Sequence, residues 1–114
     1  MDILQQLREF VKSPQACFGR KKTWVVDETM SARIERSSHL LEGGTRLTID
    51  IFEIEVEKPG HGTGMAFIKE THVLNPFWGT CIMNVTNARF AERLRKDQWM
   101  PIDGGEHPSF FKKT

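Results

Sequence analysis

Residues 46–64 read RLTIDIFEIEVEKPGHGTG and carry the clearest structural signals of the chain. Apolar side chains occupy every second position from Leu47 to Ile51, as in a strand with one buried face. The alternation then slips by one residue and continues from Phe52 to Val56. The pattern therefore predicts one strand with a break in its phase.

An extra residue in the strand explains this break. A β-bulge places two residues of one strand opposite one residue of its partner, and bulges free backbone groups near functional sites. We predict a bulge at about Ile51 to Glu53.

A glycine-rich segment, PGHGTG at 59–64, follows the strand and precedes a helical pattern that ends before Pro76. The start of a helix exposes unpaired N–H groups and the positive end of the helix dipole, so it binds anions. Glycines at 60, 62 and 64 allow the backbone to approach a phosphate closely. The spacing is neither GxGxxG nor GxxxxGK[ST], and by itself it is more typical of a surface turn.

The rest of the chain predicts further helices and short strands. A helix over 2–12 begins with Asp2 and Gln5 placed as in a capping box, and a second helix begins after Asn87, a good N-cap residue. Ser13-Pro14 ends the first helix. Strands are predicted at 24–26, 32–41, 77–86, 99–102 and 109–112, with a hairpin turn at 42–45 and a glycine pair at 104–105.

The composition indicates one α+β domain spanning residues 1–114. The chain is 39% hydrophobic and 27% charged with a formal charge of +1, which favours neither nucleic acid nor an anionic membrane as partner. No segment approaches the roughly 18 apolar residues of a membrane span, so we expect a cytoplasmic protein. Cys17 and Cys81 lack CxxC spacing, which predicts buried thiols and no metal site.

Two segments resemble the Gcn5-related N-acetyltransferases. Residues 47–56 with Gly62-Thr63-Gly64 are similar to motif A of that family, which is a strand, Q/RxxGxG/A and a helix. Residues 87–99, NARFAERLRKDQW, are similar to the later family motif NxxAxxLYxxxGF, with Asn87 and Trp99 in frame. The ending at 109–113 also resembles the last family strand.

The resemblance implies a mixed, mostly antiparallel sheet with a bulged central strand and flanking helices. It further implies that acetyl-CoA, or another acyl-CoA, is the co-substrate, with its pantetheine arm on the bulged strand and its pyrophosphate on the loop amides. Pro59 occupies the Q/R position of the motif, and Lys58 or His61 is the substitute contact. The residues implied in cofactor binding are Ile54, Val56, His61, Gly62, Thr63, Gly64 and Asn87.

The implied reaction transfers an acetyl group to an amine of a protein or a small molecule. It requires a base for the amine and an acid for the leaving thiolate. Glu53 is the preferred base, with Asp50 and Glu55 of the same strand as alternatives, although all three also fit a solvated strand face; His72 and His107 are lesser candidates. The family's tyrosine acid is replaced by Leu94, and the chain has no tyrosine, which leaves Cys81 or a water as the acid.

Two other functions remain open at this stage. One is a catalytically weak or inactive acetyltransferase fold that acts as a binding or inhibitory protein, such as mobile elements and phages encode. The other is a nucleic-acid module, which the near-neutral charge disfavours. The oligomeric state is also open, with a homodimer among the options. The basic and aromatic residues of the nucleic-acid hypothesis are Arg20, Lys21, Lys22, Arg33, Arg36 and Trp24.

Overall fold

The computed structural model describes residues 2–12, 22–41, 43–58, 60–103 and 107–114. These residues form three helices and a six-stranded sheet in the order β1-β2-β3-β4-β6-β5. Neighbouring strands are antiparallel except β3 and β4, which are parallel. The elements are α1 (Ile3–Lys12), β1 (Lys22–Val26), β2 (Met30–Leu41), β3 (Gly44–Val56), α2 (Thr63–Leu74), β4 (Gly79–Ile82), α3 (Ala88–Lys96), β5 (Met100–Asp103) and β6 (Ser109–Lys113).

Several predictions fall outside the described residues. They concern the helix end at Ser13-Pro14, the thiol of Cys17, the basic residues Arg20 and Lys21, and positions Glu42, Pro59 and Gly104-Gly105. Among the described residues, no helix has the length and apolar character that crossing a membrane requires.

Strand β3 lies at the centre of the sheet, and its residues from Thr48 to Ile51 are buried. Helix α2 connects β3 to the parallel strand β4. It provides the long crossover that two parallel neighbouring strands require. Helix α1 packs against α2 and β1. The apolar faces of all three helices join one hydrophobic core with the sheet, through residues that include Leu7, Ile68 and Leu94.

The predicted bulge is present in β3. Ser31 of β2 pairs with Glu55, whereas Arg33, two residues later, pairs with Phe52, so β3 carries one extra residue in this interval. Glu53 has a φ of 52°. This left-handed conformation is uncommon for residues other than glycine, and here it accompanies the bulge. The phase slip in the sequence therefore corresponds to a real insertion into the ladder.

Strand β4 is shorter than predicted. The sequence predicted a strand over 77–86, but the structure shows only Gly79–Ile82. In the described chain, the hydrogen bond from Met83 N to Ile51 O (2.9 Å) is the last between this segment and β3. Asn84 then has a φ of 52°, which turns the backbone out of the sheet. Beyond Ile82 the segment loses β3 as a partner, although Val85 N still donates a hydrogen bond to Pro108 O, just before β6, at 2.9 Å.

Side-chain hydrogen bonds fix the start of α1. Asp2 Oδ1 accepts a hydrogen bond from Gln5 N at 2.8 Å, which confirms Asp2 as the cap of this helix. Gln6 Oε1 accepts one from Val26 N at 2.9 Å and so ties α1 to β1. Asp27 Oδ2 accepts one from Ile3 N at 3.1 Å. The helix is therefore anchored at the turn between β1 and β2.

Asp27 also accepts hydrogen bonds from Thr29 Oγ1 and from the backbone N–H groups of Thr29 and Met30, and these bonds lower its pKa to about 2. We expect Asp27→Asn to reduce the free energy of unfolding at neutral pH by about 1 kcal/mol, as for a lost cap. The folded-state pKa lies below the usual value of 3.8, so the contribution is present above about pH 4 and lost as the pH falls through about 2. In urea unfolding from pH 7 to pH 2, the free energies of unfolding of the wild type and Asp27→Asn should therefore converge. A constant difference down to pH 2 would contradict the assignment, and the neighbouring exposed Glu28→Gln is the control.

Candidate functional site

Strands β3 and β4 separate just before the bulge. Their last paired residues are Ile51 and Ile82, and in the described chain β3 has no register partner on β4 beyond this point. The two diverging segments enclose a cleft of about 400 Å³, which we call the fork cleft. It is lined by Arg33, residues 51–55, residues 82–87 and Phe90.

The glycine segment leads directly into α2. Gly62 is the N-cap of this helix with a φ of 75°, and Gly60 has a φ of 90°. No side chain forms a capping hydrogen bond here; the first helical bond described runs from Ala66 N to Gly62 O at 2.9 Å. The N–H groups of the first turn of α2 are thus left for water or an anionic ligand.

The bulged strand packs against the start of α2. A Cβ atom built on Gly64 would lie 3.7 Å from the side chains of both Ile54 and Val56. Between them a second cleft of about 410 Å³ opens, which we call the loop cleft. It shares the lining residues Ile54, Asn87 and Phe90 with the fork cleft, so the two clefts adjoin each other.

The loop cleft is basic. Lys58, Arg89 and Arg93 line it, and the described residues that line it include no acidic side chain. Arg89 and Arg93 are four residues apart on α3 and so project from the same side of that helix. Sequence reasoning did not assign these arginines a role, although their spacing after the N-cap was visible.

Six of the seven residues implied in cofactor binding line the loop cleft. The exception is His61, which lies outside it in a shallow depression beside Glu28 and Glu57. Lys58, the other proposed substitute for the motif's Q/R residue, does line the cleft. The residues that line it are Ile54, Val56, Gly62, Thr63, Gly64 and Asn87.

Glu53 lies in the fork cleft at the bulge, and 57% of its side chain is exposed. Arg33 Nη2 lies 3.3 Å from Glu53 Oε1, and the Arg33 guanidinium is stacked 4.4 Å from the centre of the Phe52 ring. The carboxylate is therefore accessible and oriented by a neighbouring cation.

Asp50 and Cys81 occupy a different position. They pair with each other in the β3–β4 ladder, are 2% and 0% exposed, and line neither cleft. Asp50 is in contact with His39 Nε2 at 2.7 Å and accepts a hydrogen bond from Thr48 Oγ1 at 2.8 Å. Burial, assisted by the charge of Asp50, raises the pKa of the Cys81 thiol well above its usual range. The expectation that Cys81 is a buried thiol is confirmed.

A scan against protein-family models finds no match, and neither does a search of curated proteins. Solved structures do match. The AtaT Y144F mutant toxin, bound to acetyl-CoA and the C-terminus of the antitoxin AtaR, has a TM-score of 0.62 at 10% identity over 75% of this chain. The KacTA–DNA complex has a TM-score of 0.60 at 12% identity, over 96% of this chain and 80% of the matched chain. This chain spans 59% of the length of AtaT.

Both matched structures have the Gcn5-related N-acetyltransferase (GNAT) fold. The present chain has the GNAT fold. The expected architecture is confirmed, including the mostly antiparallel sheet, the bulged central strand and the helix that follows the glycine loop.

At the position of the tyrosine in the family motif, this GNAT fold has Leu94, which is fully buried in the core. Trp99, in frame with the aromatic end of that motif, is also buried and stacks edge-on against His72. His72 Nδ1 lies 2.9 Å from Thr80 Oγ1, and burial lowers the pKa of the ring. His72 is thus a packed residue, and His107 is exposed away from both clefts.

Asn87 has a structural contact inside the loop cleft. Its Oδ1 accepts a hydrogen bond from Phe90 N at 3.1 Å, which confirms it as the N-cap of α3. We expect Asn87→Ala to lower the free energy of unfolding by about 1 kcal/mol. Asn87→Asp should retain this stability because aspartate caps equally well, yet it adds a negative charge to the basic cleft. Denaturant unfolding, with acetyl-CoA titration of both variants, separates the capping role from a ligand-binding role. Equal stability of the Ala variant and the wild type would exclude the cap.

Proposed function

We propose that this protein binds acetyl-CoA across the two adjoining clefts, as one groove, and transfers the acetyl group to an amine of a protein or a small molecule. One observation carries the proposal. The fork between β3 and β4 opens beside a helix N-terminus that has no side-chain cap, so a strand edge without a partner on β4 and a set of amide donors lie on adjoining clefts. Acetyl-CoA has a peptide-like arm followed by a diphosphate, which is the chemistry that these two surfaces accept.

The diphosphate belongs at the start of α2. There the amide N–H groups and the helix dipole favour negative charge, and the glycines leave room for close approach. Lys58 on one wall and Arg89 and Arg93 on the other add positive charge. They replace the Q/R residue of the family motif, whose position is Pro59 here. AtaT, with the same fold, is bound to acetyl-CoA, which supports this assignment.

The pantetheine arm and thioester belong in the fork cleft. There the edge of β3 beyond Ile51 offers backbone groups to the amides of the arm and to the thioester oxygen. The acceptor amine gives a proton to Glu53, and its nitrogen attacks the thioester carbon. The carbon–sulfur bond breaks, an amide forms, and the thiolate takes a proton from water. Water is the proposed acid because Leu94 is aliphatic and Cys81 lies outside the cleft.

A second candidate function keeps the groove but omits the chemistry. The chain has no tyrosine, so no phenol can act as the acid in the fork cleft. The residue at the family's tyrosine position, Leu94, is buried in the core. A protein that binds acetyl-CoA without transfer, and acts through a protein partner, fits the same observations. Release of free thiol in the presence of an amine panel distinguishes the two functions, because only an acetyltransferase releases it faster than the no-amine control.

Ligand-induced stabilisation tests the site itself. Acetyl-CoA at ~100 times its dissociation constant should stabilise the fold by about 2.7 kcal/mol. The double variant Arg89→Gln with Arg93→Gln should bind at least about tenfold more weakly, because two charge-assisted contacts are lost. Lys96→Gln, on the same helix but outside the cleft lining, is the matched control. Absence of any stabilisation in the wild type would refute acetyl-CoA binding. If Lys96→Gln lost as much affinity as the double variant, the loss would reflect net charge and not contacts in the cleft.

A further inference from the structure

A cluster of three potential metal ligands lies on the sheet, and its residues are not part of the lining of either cleft. His39, Asp50 and Cys81 each present a ligand atom, and these atoms all lie within 4.8 Å of one another. The residues come from three adjacent strands, β2, β3 and β4. Among the described residues this is the one such group with three or more potential ligands.

The cluster lies on the sheet face opposite α2. Thr80, next to Cys81 in β4, contacts His72 of α2, and successive residues of a strand point to opposite faces. Asp50 and Cys81 are register partners, so their side chains lie on the same face. The cluster is thus separate from the hydrophobic packing beneath the helices.

We propose that His39 Nε2, an Asp50 carboxylate oxygen and Cys81 Sγ form a binding site for a divalent transition metal, with zinc as the favoured ion. A tetrahedral zinc site has ligand atoms roughly 3.3–3.6 Å apart, given bond lengths near 2.0 Å to nitrogen and oxygen and 2.3 Å to sulfur. The observed spacing reaches this geometry through small side-chain adjustments. Imidazole and thiolate ligands select zinc over magnesium or calcium.

The charges of the loaded site balance. A carboxylate, a thiolate and a neutral imidazole contribute two negative charges, which a divalent cation cancels, so the complex suits a buried position. On binding, the Cys81 thiol releases its proton to solvent, and His39 takes the tautomer with its proton on Nδ1, so that the imidazole stays neutral and Nε2 is free to ligate. The His39 side chain is 24% exposed, so an ion can reach the cluster from solvent on the side of His39.

Thr48 is the residue that positions Asp50. Its hydroxyl donates a hydrogen bond to Asp50 Oδ1 at 2.8 Å and leaves Oδ2 on the side of His39. Such outer hydrogen bonds orient a ligating carboxylate, and their loss costs 10- to 100-fold in metal affinity. Thr48→Val, which keeps the side-chain shape, should weaken zinc binding by about this factor.

The site lies one residue pair before the fork. Asp50 and Cys81 immediately precede Ile51 and Ile82, the last pair before the strands separate. A metal bound here joins β2, β3 and β4 at the base of the fork cleft, so loading should raise the thermal stability of the chain. This inference is independent of the proposed acetyl transfer.

Cobalt provides the test, because it takes the place of zinc and reports its ligands by absorption. The purified chain, stripped of metal by a chelator and dialysed, should bind one Co²⁺ with visible ligand-field bands and a near-ultraviolet thiolate-to-cobalt band, and Zn²⁺ should displace it. Cys81→Ser should lose the thiolate band, and His39→Gln should bind Zn²⁺ at least about 100-fold more weakly. Cys17→Ser, which removes the other cysteine, should keep the band.

The outcomes are decisive even where a variant folds poorly. The thiolate band of the wild type reports a cysteine ligand directly, and its persistence in Cys17→Ser assigns it to Cys81. Circular dichroism of the metal-free proteins checks their folding. A wild type without the band, a band that survives Cys81→Ser, or one that disappears in Cys17→Ser would overturn the proposal.

Discussion

Glu53→Gln is expected to lower kcat/KM for acetyl transfer by about 10²- to 10⁴-fold, the usual contribution of a general base. Glu53 is the exposed carboxylate at the bulge in the fork cleft, and Arg33 holds it in place from the neighbouring strand. Glutamine keeps the size and the hydrogen-bonding capacity of the side chain but cannot accept the proton. Steady-state kinetics with an amine acceptor measures the loss.

The affinity for acetyl-CoA separates this effect from damage to the site. It should change little in Glu53→Gln, because the diphosphate and the pantetheine arm do not depend on the carboxylate. Glu57→Gln, an exposed carboxylate beyond the same strand that lines neither cleft, is the matched control and should retain wild-type kinetics. Full activity of Glu53→Gln would remove it as the base. The alternatives Asp50 and Cys81 are weaker candidates because both are buried outside the cleft.

A second large effect is expected at the N-cap of α2. Gly62 has a φ of 75°, so a β-branched residue such as valine is strained there and also projects a side chain toward the bound diphosphate. We expect Gly62→Val to weaken acetyl-CoA binding by at least about 100-fold, because the amide donors depend on this backbone conformation. The left-handed backbone at this position should cost the fold about 1–2 kcal/mol. A steric clash should add nothing to this loss, because a Cβ on Gly62 meets no atom within 4 Å.

Calorimetric titration and denaturant unfolding separate the two losses. Gly44→Val is the control for strain, because Gly44 has a φ of 138° and is the first residue of β3, in the lining of neither cleft. It should lose stability but keep the wild-type affinity for acetyl-CoA. If Gly62→Val bound acetyl-CoA normally, the diphosphate would not lie on this helix terminus.

Burial explains why Asp50 and Glu53, two of the strand carboxylates considered as bases, differ. Asp50 and Glu53 lie three residues apart in β3, yet Asp50 is 2% exposed and the Glu53 side chain is 57% exposed. Asp50 precedes the point where β4 diverges, and Glu53 follows it on the bulge. The composition of the strand did not distinguish them, because exposure depends on where the neighbouring strand ends.

Features encoded over a few neighbouring residues were predicted from the sequence. The slipped alternation before Val56 predicted the bulge, Asp2 and Asn87 predicted two helix caps, and the glycines predicted the break between β3 and α2. Each is a local matter of backbone conformation or of a hydrogen bond within three residues, so the sequence alone determined it.

The tertiary structure decided what depends on residues that are distant in the chain. The end of β4 at Ile82 depends on the path of β3, and the basic cleft combines Lys58 with arginines of α3. The cluster of His39, Asp50 and Cys81 exists only because three strands lie side by side. Such contacts follow from the register of the sheet and the packing of helices on it, and no pattern of neighbouring residues records them.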